Sequence, residues 1–105
     1  MRVLVQARPS HPISQDLIGP LMDMFKHWRA QYRAQTEAFY FFTSGKGGFG
    51  IVNAPDEMAL WRQLSTFPFA QFSDITVEPL IDGDEGLAAF ADLMAQMMSG
   101  AGGGN

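Results

Sequence analysis

Gly47 to Leu80 reads GGFGIVNAPDEMALWRQLSTFPFAQFSDITVEPL, and the order of its signals decides the fold. Gly48 to Asn53 is a short apolar run of strand length. Asn53-Ala54-Pro55-Asp56-Glu57 is a helix start, with proline at the first helical position and acids in the first turn. Leu60, Trp61, Leu64 and Phe67 make the apolar face of that helix, and Pro68 stops it. Ser73 to Leu80 is a second strand, with Ile75 and Val77 inward and Asp74, Thr76 and Glu78 opposite. Pro79 places it at a sheet edge. Strand, helix, Phe-Pro-Phe corner and strand form one half of a split βαβ pattern.

The other half precedes it. Arg2 to Arg8 alternates as a strand, with Val3, Val5 and Ala7 on one face and Leu4, Gln6 and Arg8 on the other. Leu17, Leu21, Met24, Phe25, Trp28 and Tyr32 follow at helical spacing. Pro20 lacks an N–H, so a secure helix is expected from Pro20 to about Ala34, with a looser turn from Ser14. Glu37 to Thr43, EAFYFFT, is a strand with apolar residues on both faces. Ser44-Gly45-Lys46-Gly47 is the hairpin connection. After Asp82-Gly83-Asp84, a last helix carries Leu87, Phe90, Met94 and Met97 in one stripe. The expected fold is α+β: ferredoxin-like βαββαβ with an antiparallel sheet plus a C-terminal helix. It forms a single domain over residues 1–98, and Ser99 to Asn105, SGAGGGN, is expected to be an unstructured Gly-rich tail.

The chain has 105 residues, of which 47% are hydrophobic, enough for a core without metal or disulfide. Cysteine is absent, which removes a thiol nucleophile and a Cys-based zinc site. The net charge of −4 gives no basic field for nucleic acid. Lys26, Arg29 and Arg33 form a small basic patch late in the first helix, where cations suit the helix dipole. No apolar run has bilayer length, and the N-terminus does not read as a signal peptide, so a cytoplasmic location is expected. The topology puts the Phe-rich strand at an edge with one sheet face bare. A second copy of the chain is the economical cover.

The strand GGFGIVN, the helix PDEMALWRQL, the corner TFPFAQF and the strand SDITVEPL together resemble the muconolactone isomerase family of the dimeric α+β barrel superfamily. The likeness covers about a third of the chain closely and the rest by topology. It implies a homodimer or larger homo-oligomer of face-to-face sheets, no metal or other cofactor, and a pocket between each sheet and its helices. It also implies a small apolar or cyclic metabolite as ligand, with a proton moved beside a carbonyl. Over AFYFFTSGKGGFG the chain carries Phe and Gly where the resemblance leads one to expect basic and imidazole groups.

No residue is assigned as catalytic, and none as a metal ligand. The candidates for substrate binding are Gln6, Arg8, His27, Tyr40 and Thr76. His27 offers an imidazole as a candidate general base, against a plainer role on the polar flank of its helix. Gln6 and Arg8 share one strand face, and Thr76 lies on the neighbouring strand, where they line either a pocket or the rim of a dimer contact. Tyr40 offers a phenol amid Phe. Three functions remain open: an isomerase-like or cofactor-free monooxygenase-like enzyme, a non-catalytic dimerisation module, and a ligand-sensing module.

Overall fold

Alternation along β1 (Arg2–Pro9) seeds the core by sending Val3, Val5 and Ala7 toward the helices. Then come α1 (Gln15–Gln31), β2 (Thr36–Phe41), β3 (Gly48–Asn53), α2 (Glu57–Ser65), β4 (Ser73–Pro79) and α3 (Gly83–Gly103). Short 3-10 turns at Arg33–Gln35 and Ala70–Phe72 lead into β2 and β4. The computed structural model describes residues 1–103. The strands lie in the order β2-β3-β1-β4, antiparallel throughout, which is the ferredoxin-like α+β arrangement. The Phe-rich β2 is an edge strand, and β4 is the other.

Val3, Val52, Ala54 and Leu60 are buried together, with Val5, Ala59 and Leu64 packed against them. The register places Leu4 opposite Ile51 and Glu78, and Gln6 opposite Phe49 and Thr76. Tyr40 pairs with Phe49. Because successive side chains alternate, these residues share the sheet face that the core residues leave free. Its centre is apolar (Leu4, Phe49, Ile51), and its β4 side is polar.

Two helix starts differ from the sequence reading. α1 begins at Gln15 rather than Pro20, because Ser14 takes extended N-cap geometry and its carbonyl receives the Leu17 N–H at 2.9 Å. Pro20 then lies inside the helix, where it forfeits one backbone bond. α2 is capped by Asp56, whose carboxylate accepts the Ala59 N–H at 2.8 Å, so Pro55 stands outside the helix. Such a cap contributes about 1 kcal/mol. Trp61 is not a core residue: it is 64% exposed, and Gln63 takes the inward position at 1%.

The β2–β3 hairpin closes through Phe42 N–H to the Gly47 carbonyl at 2.9 Å. Gly47 has φ +89°, and a Cβ there would stand 2.0 Å from the Ala7 carbonyl oxygen. Gly47→Ala is therefore expected to destabilise by more than about 2 kcal/mol, since backbone strain and collision combine. Urea unfolding measures it; a loss below about 0.5 kcal/mol, the range of neutral surface changes, would contradict this packing.

Arg2, Glu37 and Asn53 tie three strands together at one sheet end. Arg2 Nε donates to Glu37 Oε1 at 3.1 Å, its Nη2 pairs with Oε2, and Asn53 Nδ2 donates to Oε1 at 2.9 Å. These bonds, Arg2 first, hold the Glu37 carboxyl below its usual pKa, and Glu37 raises that of Arg2. The stabilisation is present above the ordinary carboxylate range and is lost as pH falls through the lowered value.

α3 starts from Asp82, whose carboxylate accepts the N–H groups of Asp84 and Glu85 at 3.1 Å each. It then leaves the body. The molecule measures 68 × 27 × 23 Å, and its radius of gyration is 19.2 Å, against about 13 Å for a compact chain of this length. Leu87, Phe90, Leu93, Met97 and Met98 are all exposed. The helix runs to Gly103, into the stretch 99–105 expected to be an unstructured tail; 104 and 105 lie outside the described residues. Among the described residues, no helix is long and apolar enough to cross a membrane.

Candidate functional site

Aromatic residues one turn apart on α1 build the first wall of a cavity. Phe25 and Trp28 lie on the same face, with ring centroids 5.8 Å apart. The corner after α2 brings Phe67 and Phe69 to 6.0 and 5.8 Å from Phe25. From β2, Phe39 comes to 5.9 Å. Trp28 is held by its Nε1–H, which donates to the Gln63 carbonyl at 2.8 Å. The opposite wall is the sheet, with Val5, Ala7, Gly48, Gly50, Val52 and Ile75. Gly48 and Gly50 contribute no side chain, which leaves the sheet wall low. Gly48 is also required by its neighbour, since a Cβ would stand 2.3 Å from the Tyr40 carbonyl oxygen.

The half-open space is about 300 Å³, at the lower end of small-molecule sites. Met22 and Phe41 line it and are largely exposed, so they rim its opening. Four polar side chains reach the lining: Arg29, Thr36, Gln63 and Ser73. The Thr36 hydroxyl is committed to the Tyr32 carbonyl at 2.9 Å. The Arg29 guanidinium lies 4.8 Å over the Phe39 ring, a cation–π arrangement. Arg29 Nη1 and Gln63 Oε1 are both buried and have no hydrogen-bond partner in the protein. Among the described residues, the lining holds no carboxylate, imidazole, amine or phenol, and no group of three His, Asp or Glu could hold a metal ion.

None of the five residues expected to bind substrate lines this cavity. Gln6, Arg8, Tyr40 and Thr76 do come together, on the opposite sheet face. There Gln6 pairs with Thr76, Arg8 stacks 4.4 Å over Phe42, and Tyr40 lies 5.5 Å from Phe49. His27 is exposed on α1, with Nδ1 2.9 Å from the Asp23 carbonyl oxygen. The lining polar groups were hidden by residue type. Gln63 stands three residues after Leu60 and Arg29 four after Phe25, so both lie on the inward faces of their helices. A polar residue at such a spacing is the signal that marks them.

A family profile described as Domain of unknown function (DUF3303) matches residues 14–94. No curated protein matches the chain. Among solved structures, muconolactone isomerase aligns with a TM-score of 0.70 at 16% identity, covering 78% of this chain and 90% of that one. The 5-chloro-2-hydroxyhydroquinone dehydrochlorinase TftG from Burkholderia phenoliruptrix AC1100, in complex with 2,5-dihydroxybenzoquinone, aligns at 0.64 and 18%, covering 81% and 98%. Rv0793 from Mycobacterium tuberculosis aligns at 0.51 and 18%, covering 78% and 97%. Identities this low establish a shared fold alone, the ferredoxin-like α+β arrangement.

Proposed function

The chain belongs to the family described as Domain of unknown function (DUF3303), and from that premise we propose that it binds a small, largely apolar ring molecule in the cavity between sheet and helices, as a homo-oligomer. One observation carries the reading: an aromatic-walled space of about 300 Å³ that the chain's own side chains leave unfilled. Interiors otherwise pack densely, so an unfilled space of this size between bulky rings suits an occupant. The fold neighbours support a one-ring ligand, since TftG is complexed with 2,5-dihydroxybenzoquinone. The half-buried apolar centre of the free sheet face (Leu4, Phe49, Ile51) and the exposed apolar residues of α3 support association with a second copy.

Binding is favoured over isomerase-like proton transfer. Moving a proton beside a carbonyl needs a base and an acid within hydrogen-bond reach. The cavity offers an arginine, an amide and two hydroxyls, and the potential base His27 faces away from it.

The test uses Trp28 as reporter. Trp61 is exposed, so Trp61→Phe leaves Trp28 as the one tryptophan. Titration with p-cresol is expected to change its fluorescence saturably. Ala7→Phe, which fills the sheet wall, is expected to weaken binding at least ~10-fold while far-UV circular dichroism holds, because the ring occupies the ligand's volume. A non-saturable signal, or equal affinity in the filled variant, would place binding elsewhere.

A further inference from the structure

We propose that the ligand is a hydroxylated aromatic acid, its carboxylate held by Arg29 and its hydroxyl donating to Gln63 Oε1. This rests on the reading of the cavity as a binding site. The lining is mostly apolar, and its two buried polar atoms without a partner differ in kind. Arg29 Nη1 is a charged donor, while Gln63 Oε1 is a neutral acceptor. Arg29 is half-buried, and a charged donor atom such as its buried Nη1 is costly to leave without a partner. Arg29 Nη1 has no hydrogen-bond partner, and the ion pair seen among the described residues, Arg2 with Glu37, does not involve Arg29. An anion brought by the ligand supplies what the fold leaves out.

The geometry narrows the anion. The contact with Phe39 holds the guanidinium over that ring, 4.8 Å from its centroid, and a planar fork matches a carboxylate on the edge of a flat ring. Arg29 is the one cationic side chain on the lining, which suits a single carboxylate better than a phosphate dianion. Phe25, Phe67 and Phe69 give the ring faces to pack against. Gln63 is 1% exposed, so its amide stays where α2 puts it and accepts only from a group that reaches it. On the outer side of α1, Lys26 and Arg33 line a groove that shares Phe25 and Arg29 with the cavity. An acidic ligand thus meets local positive charge on a chain whose net charge is −4.

The test is calorimetric titration of the full chain with 4-hydroxybenzoate, benzoate, methyl 4-hydroxybenzoate and p-cresol. The expected order puts 4-hydroxybenzoate tightest, with the methyl ester roughly 10- to 100-fold weaker for want of the charge-assisted bond. Arg29→Met should weaken 4-hydroxybenzoate by that factor and leave the ester unchanged. Gln63→Met, close in volume, should bring 4-hydroxybenzoate to the affinity of benzoate without affecting benzoate itself. Thermal melts accompany each variant. If Gln63→Met does not fold, the Arg29→Met comparison of acid with ester decides the matter.

Acid and ester binding equally in the native chain overturns the proposal while leaving the cavity as a binding site. Should Arg29 and Gln63 merely bond to each other, both substitutions shift the melting temperature and leave the acid-to-ester ratio untouched, which also overturns it. Failure of every probe, p-cresol included, removes the binding reading itself.

Discussion

Ile51→Asp is expected to turn a species of twice 11.6 kDa into one of 11.6 kDa, or into aggregate. Ile51 sits on the central strand β3, between Leu4 of β1 and Ala38 of β2. Phe49 flanks it on the same face. This is the apolar centre of the face that the chain's own helices do not cover. If two copies meet there about a two-fold axis, each brings the same patch, so a single substitution introduces two carboxylates into one interface. Each loses hydration without gaining a partner, at a cost of several kcal/mol. The dissociation constant should therefore rise by about three orders of magnitude or more. Light scattering reads the mass. Thr43→Asp makes the same charge change in the exposed hairpin loop and should leave the mass alone. A native-mass Ile51→Asp protein would mean that the sheet face is not the contact.

That face was legible before the structure, because period-two alternation and strand order are enough to define it. EAFYFFT carried apolar residues on both sides, and the topology put that strand at an edge. The cavity was less legible, for a physical reason. At 100° per residue, neighbours such as Leu60 and Trp61 point well apart, and the apolar label on Trp61 outweighed its angle. Gln63 occupies the inward position instead, where its amide is the exception that makes a site. Arg29 was explained by the helix dipole, which accounts for its place in the sequence and says nothing of its tip. Its long stem lets the guanidinium stack on Phe39 from a different element, a contact between residues ten apart that no local pattern encodes. Pro20 was given too much weight: inside α1 it removes one hydrogen bond, while burial of Leu21 and the contacts of Phe25 and Trp28 with Phe39 and Phe67 stabilise the whole helix.

Phe90→Asp is expected to weaken self-association of the chain by about three orders of magnitude, or to strip dimers out of a larger assembly. Beyond its first turn α3 leaves its large apolar side chains, from Leu87 to Met98, exposed among the described residues. Most helical stability in proteins comes from packing an apolar face rather than from propensity, and this helix carries glycine at 83, 86, 100, 102 and 103. Its helical state therefore calls for burial of Leu87, Phe90, Met94 and Met97 on something. A second copy fits the charges. α3 carries Asp84, Glu85 and Asp92 and no basic residue, while Lys26, Arg33 and Arg62 are exposed on α1, its following turn and α2. Each Phe side chain buried contributes about 2 kcal/mol, and two symmetric copies double both that loss and the cost of burying the new carboxylate. Sedimentation velocity distinguishes the possibilities. A shift from native mass to dimer places α3 between dimers; a shift to 11.6 kDa places it within one. A Phe90→Asp chain of native mass and native helix content would mean that α3 packs on its own body, and the extended shape of 68 Å would then not describe the protein in solution.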